Sequence, residues 1–172
     1  MGFRGRVRLI LPALLTAAAL ALTACGPDKP VAKSTGTSVP TKLAFTAKTL
    51  DGKQFDGASL AGHPVVLWFW APWCATCASE AQTLTDLAPR YAGKVDFVGV
   101  AGMGGEAEMR QFVKDFEVGS FPHLSDNAGT VWKRFEITEQ STYVLLDRSG
   151  KLVQKGWLDD QKMTAEVAKL AA

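Results

Sequence analysis

The sequence is poor in the residues that build metal sites and disulfide frameworks. Its 172 residues include only three cysteines and two histidines. A structural zinc site needs four ligands in a tetrahedral arrangement. No second Cys pair and no His-x-x-x-His motif accompanies Cys74 and Cys77, which form the one Cys-x-x-Cys pair. We therefore predict neither a metal site nor a cofactor.

Basic patches and membrane-length apolar runs are also missing. The chain has 19 basic and 17 acidic residues but no basic stripe, which argues against nucleic-acid binding. The apolar run at residues 9–22 is shorter than the roughly 20 residues that a spanning helix needs. Arg4, Arg6 and Arg8 precede it. This order of a basic segment and a short apolar segment predicts a signal peptide.

The predicted signal peptide ends in small residues before a cysteine. Residues 22–25 read LTAC, which resembles the cleavage box of bacterial lipoproteins. This resemblance implies a signal peptide over residues 1–24, with Cys25 as the first mature residue and its sulfur as the lipid carrier. The alternative is an ordinary secretory cleavage site that leaves Cys25 a free thiol. In either case the protein is expected to be exported.

The mature chain divides into a tether and one domain. Residues 25–42 are rich in Pro, Ser, Thr, Gly and Lys and have no hydrophobic period, which predicts a flexible tether. Residues 43–172 have the length of a single domain. Removal of the three arginines of the signal peptide leaves 16 basic against 17 acidic residues, so the apparent basicity of the chain belongs mostly to the targeting segment.

Strands and helices alternate through most of the predicted domain. Asp51-Gly52 between short apolar runs indicates a hairpin. The continuous apolar run at 65–70 is typical of a strand covered on both faces. A helix, a strand at 95–100 and a second helix follow, and a hairpin at 143–157 precedes a last helix that Asp159 or Asp160 caps. We expect a mixed sheet with helices on both faces.

Residues 68–77, WFWAPWCATC, place the cysteine pair at the start of a predicted helix. A helix N-terminus has unpaired backbone N–H groups and a partial positive charge, and both favour a thiolate over a thiol. Cys74 should therefore be a strong attacking group. Cys77 is close enough to attack Cys74 when the latter is held in a mixed disulfide. This pattern predicts a thiol–disulfide oxidoreductase.

Several motifs in the same order resemble the exported TlpA/ResA/DsbE-like family of thioredoxin-fold proteins. They are residues 62–74 (GHPVVLWFWAPWC), Cys77 with Glu80, 121–126 (FPHLSD) and 146–151 (LDRSGK). Segments 95–102 and 126–135 are most similar to actinobacterial DsbE/DsbF-type proteins. The resemblance implies an α/β, thioredoxin-like three-layer fold with a mixed central sheet, helices on both faces and an N-terminal β-hairpin.

The family resemblance also implies roles for the residues around the cysteines. Cys74 and Cys77 would be the catalytic pair and form the redox disulfide, with Cys74 as the sulfur that meets the substrate. Thr76 and Cys77 would supply backbone N–H groups near the Cys74 sulfur. Trp73 would shield that sulfur and line the substrate groove, although packing alone is the alternative role for this side chain.

Three positions depart from the family pattern, and two of them, Trp68 and Ser141, bear on the chemistry; the third is Gln82, where the family often has a proline. Trp68 stands where thioredoxins have a buried Asp, so Glu80, three residues after Cys77 on the same helix, is the candidate to manage the proton of Cys77. The alternative is that Glu80 only favours the helix dipole. Ser141 stands where the family has a cis-proline facing the cysteines. A cis bond before a non-proline costs about 3–4 kcal/mol, so the Gln140–Ser141 bond is either held cis or relaxes to trans.

These inferences predict an exported, membrane-tethered oxidoreductase that forms disulfides in secreted proteins. Its partners would be exported protein thiols or disulfides, a membrane redox protein that recycles the pair, and the membrane itself through Cys25. The expected location is the outer face of the cytoplasmic membrane or the periplasm, and the expected state is a monomer. One alternative is a ResA-like reductant of apocytochrome c thiols in cytochrome maturation. The other, with His123 as a ligand, is a Sco-like copper chaperone, although that class has one more residue between its cysteines.

Overall fold

A computed structural model describes residues 38–172 of the chain. The predicted signal peptide, the lipid attachment at Cys25 and most of the predicted tether lie outside these residues and stay predictions. Within the part described, no helix combines the length and the apolar character needed to cross a membrane. The domain boundaries inferred from composition likewise remain predictions.

Seven strands within residues 38–172 form one sheet with the order β2-β1-β5-β4-β3-β6-β7. The strands are β1 (Thr46–Thr49), β2 (Gln54–Asp56), β3 (Val65–Trp70), β4 (Asp96–Ala101), β5 (His123–Ser125), β6 (Thr142–Leu146) and β7 (Leu152–Gly156). The helices are α1 (Ala75–Arg90), α2 (Glu106–Asp115), α3 (Thr130–Arg134) and α4 (Asp160–Leu170), with 3-10 turns at Thr41–Leu43 and Gly57–Leu60.

The sheet is mixed, as the sequence predicts. Strands β3, β4 and β5 pair in parallel, and the other neighbouring strands pair antiparallel. Helix α1 connects the parallel strands β3 and β4, which is the strand–helix–strand unit expected for such a pair. Strand β3 lies near the centre of the sheet, between β4 and β6. The segment that follows β3 therefore starts from a strand that has a hydrogen-bonded neighbour on each side.

Both faces of the sheet are covered by helices. All six residues of β3 are buried, and successive side chains point to opposite faces. Val66, Trp68 and Trp70 pack with the apolar residues of α1, α2 and α4. The alternate residues of β3 pack on the other face against α3 and the Thr41–Leu43 turn. This arrangement confirms the thioredoxin-like α/β fold with helices on both faces.

The start of α4 is set by a side-chain cap. Asp159 is the N-cap residue, and its carboxylate accepts a hydrogen bond of 2.9 Å from the backbone N–H of Lys162. Of the two aspartates that the sequence offers as caps, the structure thus selects Asp159. This cap supplies one of the acceptors that the free N–H groups of a helix N-terminus need.

Candidate active site

Cys74 and Cys77 form a disulfide at the N-terminus of α1. Their Cα atoms are 5.2 Å apart. Cys74 is the N-cap residue of the helix, and its Sγ atom accepts a hydrogen bond of 3.0 Å from the backbone N–H of Cys77. Cys74 is 6% exposed and Cys77 is fully buried. The helix N-terminus therefore acts on the sulfur of the more exposed cysteine. Its partial positive charge and the N–H of Cys77 would stabilise a thiolate at Cys74.

The disulfide follows the carboxyl end of β3, a strand that is paired on both sides. The strand ends at Trp70, whose carbonyl accepts a hydrogen bond of 3.0 Å from the N–H of Gly102. The next three residues turn the chain, and the N–H of Cys74 donates to the carbonyl of Ala71 at 3.2 Å. A strand that is paired on both sides thus ends at Trp70, and the hydrogen bonds at residues 70–74 fix the position of the turn that carries Cys74.

Trp73 is exposed next to the disulfide but its orientation is determined by a hydrogen bond. Its side chain is 58% exposed, and Nε1 donates to the carbonyl oxygen of Met103 at 2.6 Å. Met103 is itself 52% exposed and has a φ of 58°. A Cβ atom added to Gly104 would overlap the ring of Pro72, so the loop at 102–105 packs closely on the segment before Cys74.

The contact of Met103 with Trp73 was not predicted from the sequence. The glycines around it, at positions 102, 104 and 105, predict a loop in this segment but do not indicate that the loop contacts Trp73. The predicted groove role of Trp73 stays a prediction, although an exposed aromatic ring beside the disulfide is compatible with it. Thr76 is exposed in the first turn of α1. Of the two N–H groups expected near the Cys74 sulfur, the structure shows that of Cys77 bonded to it.

Glu80 is a buried carboxyl group on the same helix as the cysteines. It is 3% exposed. Its Oε2 atom accepts a hydrogen bond of 2.8 Å from Nε1 of Trp68, and its Oε1 atom accepts one of 2.6 Å from Oγ of Ser141. Burial raises the pKa of Glu80, the two hydrogen bonds act against this rise, and the charge of Asp160 adds to it. Glu80 follows Cys77 by three residues, which places both side chains on one face of α1.

The structure brings Ser141 to Glu80, a contact that the sequence analysis did not predict. Ser141 directly precedes β6 and has a φ of 62°, in the left-handed region. The following residue, Thr142, pairs with Phe69 of β3. Ser141 therefore lies beside the strand that leads to the disulfide, and its hydroxyl is directed at the carboxylate of Glu80.

His123 is buried and both of its ring nitrogens have protein partners. Nε2 lies 2.8 Å from the carbonyl oxygen of Val118, and Nδ1 accepts a hydrogen bond of 3.2 Å from Nε1 of Trp70. Burial lowers the pKa of His123 to about 4, against a smaller opposite effect of the Val118 bond. The ring is therefore neutral. Within residues 38–172, no group of three or more His, Cys, Asp or Glu side chains is placed to hold a metal ion.

A thioredoxin-like sheet with a Cys-x-x-Cys disulfide at the start of α1 defines a class of dithiol–disulfide proteins. Comparison with protein families specifies this class further, because the Redoxin family matches residues 34–172. This match spans most of the sequence. The chain belongs to the Redoxin family.

Three known proteins illustrate the similarity. The chain is 41% identical over 109 residues to the soluble secreted antigen MPT53 of Mycobacterium tuberculosis, which is 63% of this chain and 62% of that protein. It is 29% identical over 112 residues to the thiol-disulfide oxidoreductase ResA of Bacillus thuringiensis, with 64% of each chain covered. The structure of DsbF from M. tuberculosis matches with a TM-score of 0.73 and 42% identity, over 77% of this chain and 99% of that one. The chain thus matches slightly less than two thirds of the length of these two sequence relatives.

Proposed function

We propose that this protein is an exported thiol:disulfide oxidoreductase that uses Cys74 and Cys77 to form disulfides in secreted proteins. The observation that carries the proposal is the hydrogen bond from the Cys77 N–H to the Cys74 sulfur at the N-terminus of α1. Two further observations support it: a relative named as a secreted antigen, and another named as a thiol-disulfide oxidoreductase.

The proposed reaction transfers one disulfide to the substrate. A substrate thiolate attacks Sγ of Cys74, the Cys74–Cys77 bond breaks, and Cys77 leaves as a thiolate that takes up a proton. A second substrate thiolate then attacks the substrate sulfur of the mixed disulfide, and Cys74 leaves as a thiolate. The substrate has lost two electrons and the protein has gained them, so a membrane redox partner must reoxidise the pair.

Glu80 is the proposed proton-transfer group for Cys77. The carboxyl is buried on the same helix face and has a raised pKa, which brings its proton exchange closer to neutral pH. When the disulfide breaks, Glu80 would supply the proton that the Cys77 thiolate takes up. When the disulfide forms again, Glu80 would accept that proton.

The residues between the cysteines favour an intermediate oxidant. Ala75 and Thr76 add neither a cation nor an imidazole beside Cys74, which removes one cause of a very low thiol pKa. The same two sulfurs can run in the reverse direction if a partner supplies electrons. A reducing, ResA-like role is therefore the second candidate, and the similarity to ResA supports it. The copper-chaperone alternative loses support because protein atoms occupy both nitrogens of His123.

A test of the activity compares wild type with Cys74→Ser and Cys77→Ser on a reduced, unfolded protein substrate. Wild type should form substrate disulfides, and neither variant should, because each lacks the Cys74–Cys77 disulfide. When a disulfide-containing peptide is supplied instead, the Cys74 thiolate of reduced Cys77→Ser should attack it, release one peptide thiolate and accumulate as a mixed disulfide. Equal oxidation by wild type and Cys74→Ser would refute the proposal. Alkylation of thiols in intact cells then reports the direction, because an oxidase is held mostly with its disulfide formed.

Anchoring is proposed from residues 22–25 alone. If Cys25 carries lipid, labelled palmitate should be incorporated into wild type, and Cys25→Ala should be unlabelled and released from the membrane fraction. Retention of Cys25→Ala in that fraction would contradict a lipid anchor. The proposed location is the outer face of the cytoplasmic membrane, within reach of the redox partner that recycles the pair.

A further inference from the structure

Glu80 is a buried carboxyl without a counter-ion among the described residues. The salt bridges within residues 38–172 do not include it. Two neutral groups hold it instead, one on each oxygen: Nε1 of Trp68 on Oε2 and Oγ of Ser141 on Oε1. A buried charge is costly unless hydrogen bonds compensate for the lost water. The stability of the charged form of Glu80 therefore depends on the hydrogen bonds from these two donors.

The two donors differ in what they can do when the carboxyl takes up a proton. An indole N–H can only donate, whereas a hydroxyl can donate or accept. A proton on Oε2 would face the N–H of Trp68 and displace that hydrogen bond. A proton on Oε1 would face the hydroxyl of Ser141, which can rotate and accept it. Oε1 is thus the oxygen at which Glu80 can be protonated without losing a partner.

We propose that Ser141 is a positioning residue for Glu80, and that its hydroxyl donates to Oε1 of the carboxylate and accepts from Oε1 of the carboxylic acid. This inference rests on the proposed function, in which Glu80 exchanges a proton with Cys77. In that exchange the S–H bond of Cys77 breaks, the O–H bond at Oε1 forms, and the sulfur keeps the electron pair with which it attacks Cys74. The hydroxyl of Ser141 reverses its hydrogen bond, and no further reactant is needed.

The backbone at Ser141 supports a role for its side chain. A residue with a Cβ atom is disfavoured in the left-handed region, and glycine is the residue that adopts this region freely. Ser141 nevertheless has a φ of 62°. Glycine would remove this cost but would also remove the donor to Glu80. Ser141 therefore combines a disfavoured backbone conformation with the hydroxyl that donates to Oε1 of Glu80.

The other groups around Glu80 cannot replace the hydroxyl. The charge of Asp160 at the start of α4 disfavours a second negative charge, and it raises the pKa of Glu80. Tyr143 of β6 stays neutral, because burial and the charge of Glu80 raise its pKa. Cys77 on α1 is the proton-exchange partner itself, and Trp68 of β3 occupies the other oxygen. Among residues 38–172, Ser141 is the group that can stabilise both protonation states at Oε1.

The experiment follows the side-chain carboxyl signal of Glu80 by carbon-13 NMR as the oxidised protein is titrated. Ser141→Ala and Ser141→Gly both remove the hydroxyl, but only the glycine relieves the backbone. The titration midpoint of Glu80 should rise by about one pH unit in both variants, because a hydrogen bond to the charged form is stronger than one to the neutral form. Ser125→Ala, which removes a surface hydrogen bond to Glu106, is the matched control and should not move the midpoint.

An unchanged midpoint in both Ser141 variants would overturn the inference, and so would a rise in only one of them. The role of Glu80 is tested separately by the pH dependence of the Cys77 attack on the mixed disulfide. If the Glu80 midpoint rises while that rate profile stays at the wild-type position, the positioning by Ser141 stands and the proton role in the proposed function fails. If both shift together, both are supported.

Discussion

Glu80 and His123 are two buried titratable groups on the same face of the sheet, and each is bonded to one ring of a stacked tryptophan pair. The rings of Trp68 and Trp70 lie 5.5 Å apart. Trp68 donates its N–H to Glu80, and Trp70 donates its N–H to His123. The two sites therefore share burial and one kind of donor. They differ in the second partner, and that difference separates their roles.

The second partner determines which protonation state each site stabilises. His123 has a donor at one nitrogen and a carbonyl acceptor at the other, which fits the neutral ring and leaves no place for a second proton. Glu80 has donors at both oxygens, which fits the anion, and one of these donors can also accept. We conclude that His123 is a structural group, whereas Glu80 can exchange a proton without losing its contacts.

The largest expected effect comes from His123→Leu. The substitution leaves the N–H of Trp70 and the carbonyl of Val118 buried without partners, which should lower the free energy of unfolding by about 4 kcal/mol. The rate of disulfide exchange should stay at the wild-type level. Urea unfolding followed by far-UV circular dichroism measures the first quantity. His63→Leu, at an exposed ion pair with Asp96, should change stability little. A slower exchange rate at unchanged stability would assign His123 to the active site.

Acid should destabilise the protein through His123. The pKa of His123 is about 4 in the folded state, against the ordinary value of 6.5 that applies to the unfolded chain. Between pH 4 and 6.5 the unfolded chain therefore binds more protons than the folded protein. Stability should therefore fall as the pH decreases from 6.5 to 4, by about 3 kcal/mol. His123→Leu should lose this part of the pH dependence. Parallel stability curves for wild type and His123→Leu across that range would show that the folded protein accepts a charged ring.

Glu80→Gln tests the other group of the comparison. The amide keeps the size of the side chain but cannot take a proton, so the attack of Cys77 on the mixed disulfide should slow about 100-fold near neutral pH. Rapid-quench reaction of the reduced protein with excess disulfide peptide measures this step. Glu166→Gln, which removes an acid paired with Lys169 on α4, should react like wild type. A normal rate in Glu80→Gln would place Glu80 with His123 as a structural group.

The smallest expected effect is a dependence of stability on pH that comes from Glu80 and has the opposite sign to that of His123. Burial raises the pKa of Glu80 above its reference value of 4.5, so the folded state binds more protons above that pH. Stability should therefore fall as the pH rises through the raised value. The hydrogen bonds from Trp68 and Ser141 oppose the shift, which keeps the slope shallow. Both measurements are made in the His123→Leu background, which lacks the opposite slope of His123. Stability should then decline less between pH 5 and pH 8 when Glu80→Gln is added, and an identical decline with and without Glu80→Gln would exclude this contribution.

The fold and the cysteine pair could be predicted because their signals are local. The apolar run at 65–70 has the length of a buried strand, and the helical spacing after Cys77 shows which face of α1 is covered. Hydrophobic periods of this kind depend on residues a few positions apart. The same applies to the cap at Asp159. Each of these features depends on one short segment of the sequence.

The contacts that separate Glu80 from His123 could not be predicted because they join distant parts of the chain. Ser141 and Glu80 are 61 positions apart, and Trp70 and His123 are 53 apart. Their meeting depends on the register of β6 and β5 beside the central strands, which a single sequence does not reveal. The sequence identified Ser141 as a departure from a family pattern and, separately, Glu80 as the candidate to compensate for another departure at Trp68. The hydrogen bond between them emerged only from the folded chain.

The Cys74–Cys77 bond links residues only three positions apart, and this short spacing has a thermodynamic consequence. In the chain-entropy account, a ring of four residues restrains the unfolded chain by about 2 kcal/mol, whereas a ring of 100 residues would contribute about 4.7 kcal/mol. Most of the stability must then come from the two apolar clusters on either side of the sheet. The protein can therefore break and remake this bond in every reaction cycle while the domain stays folded.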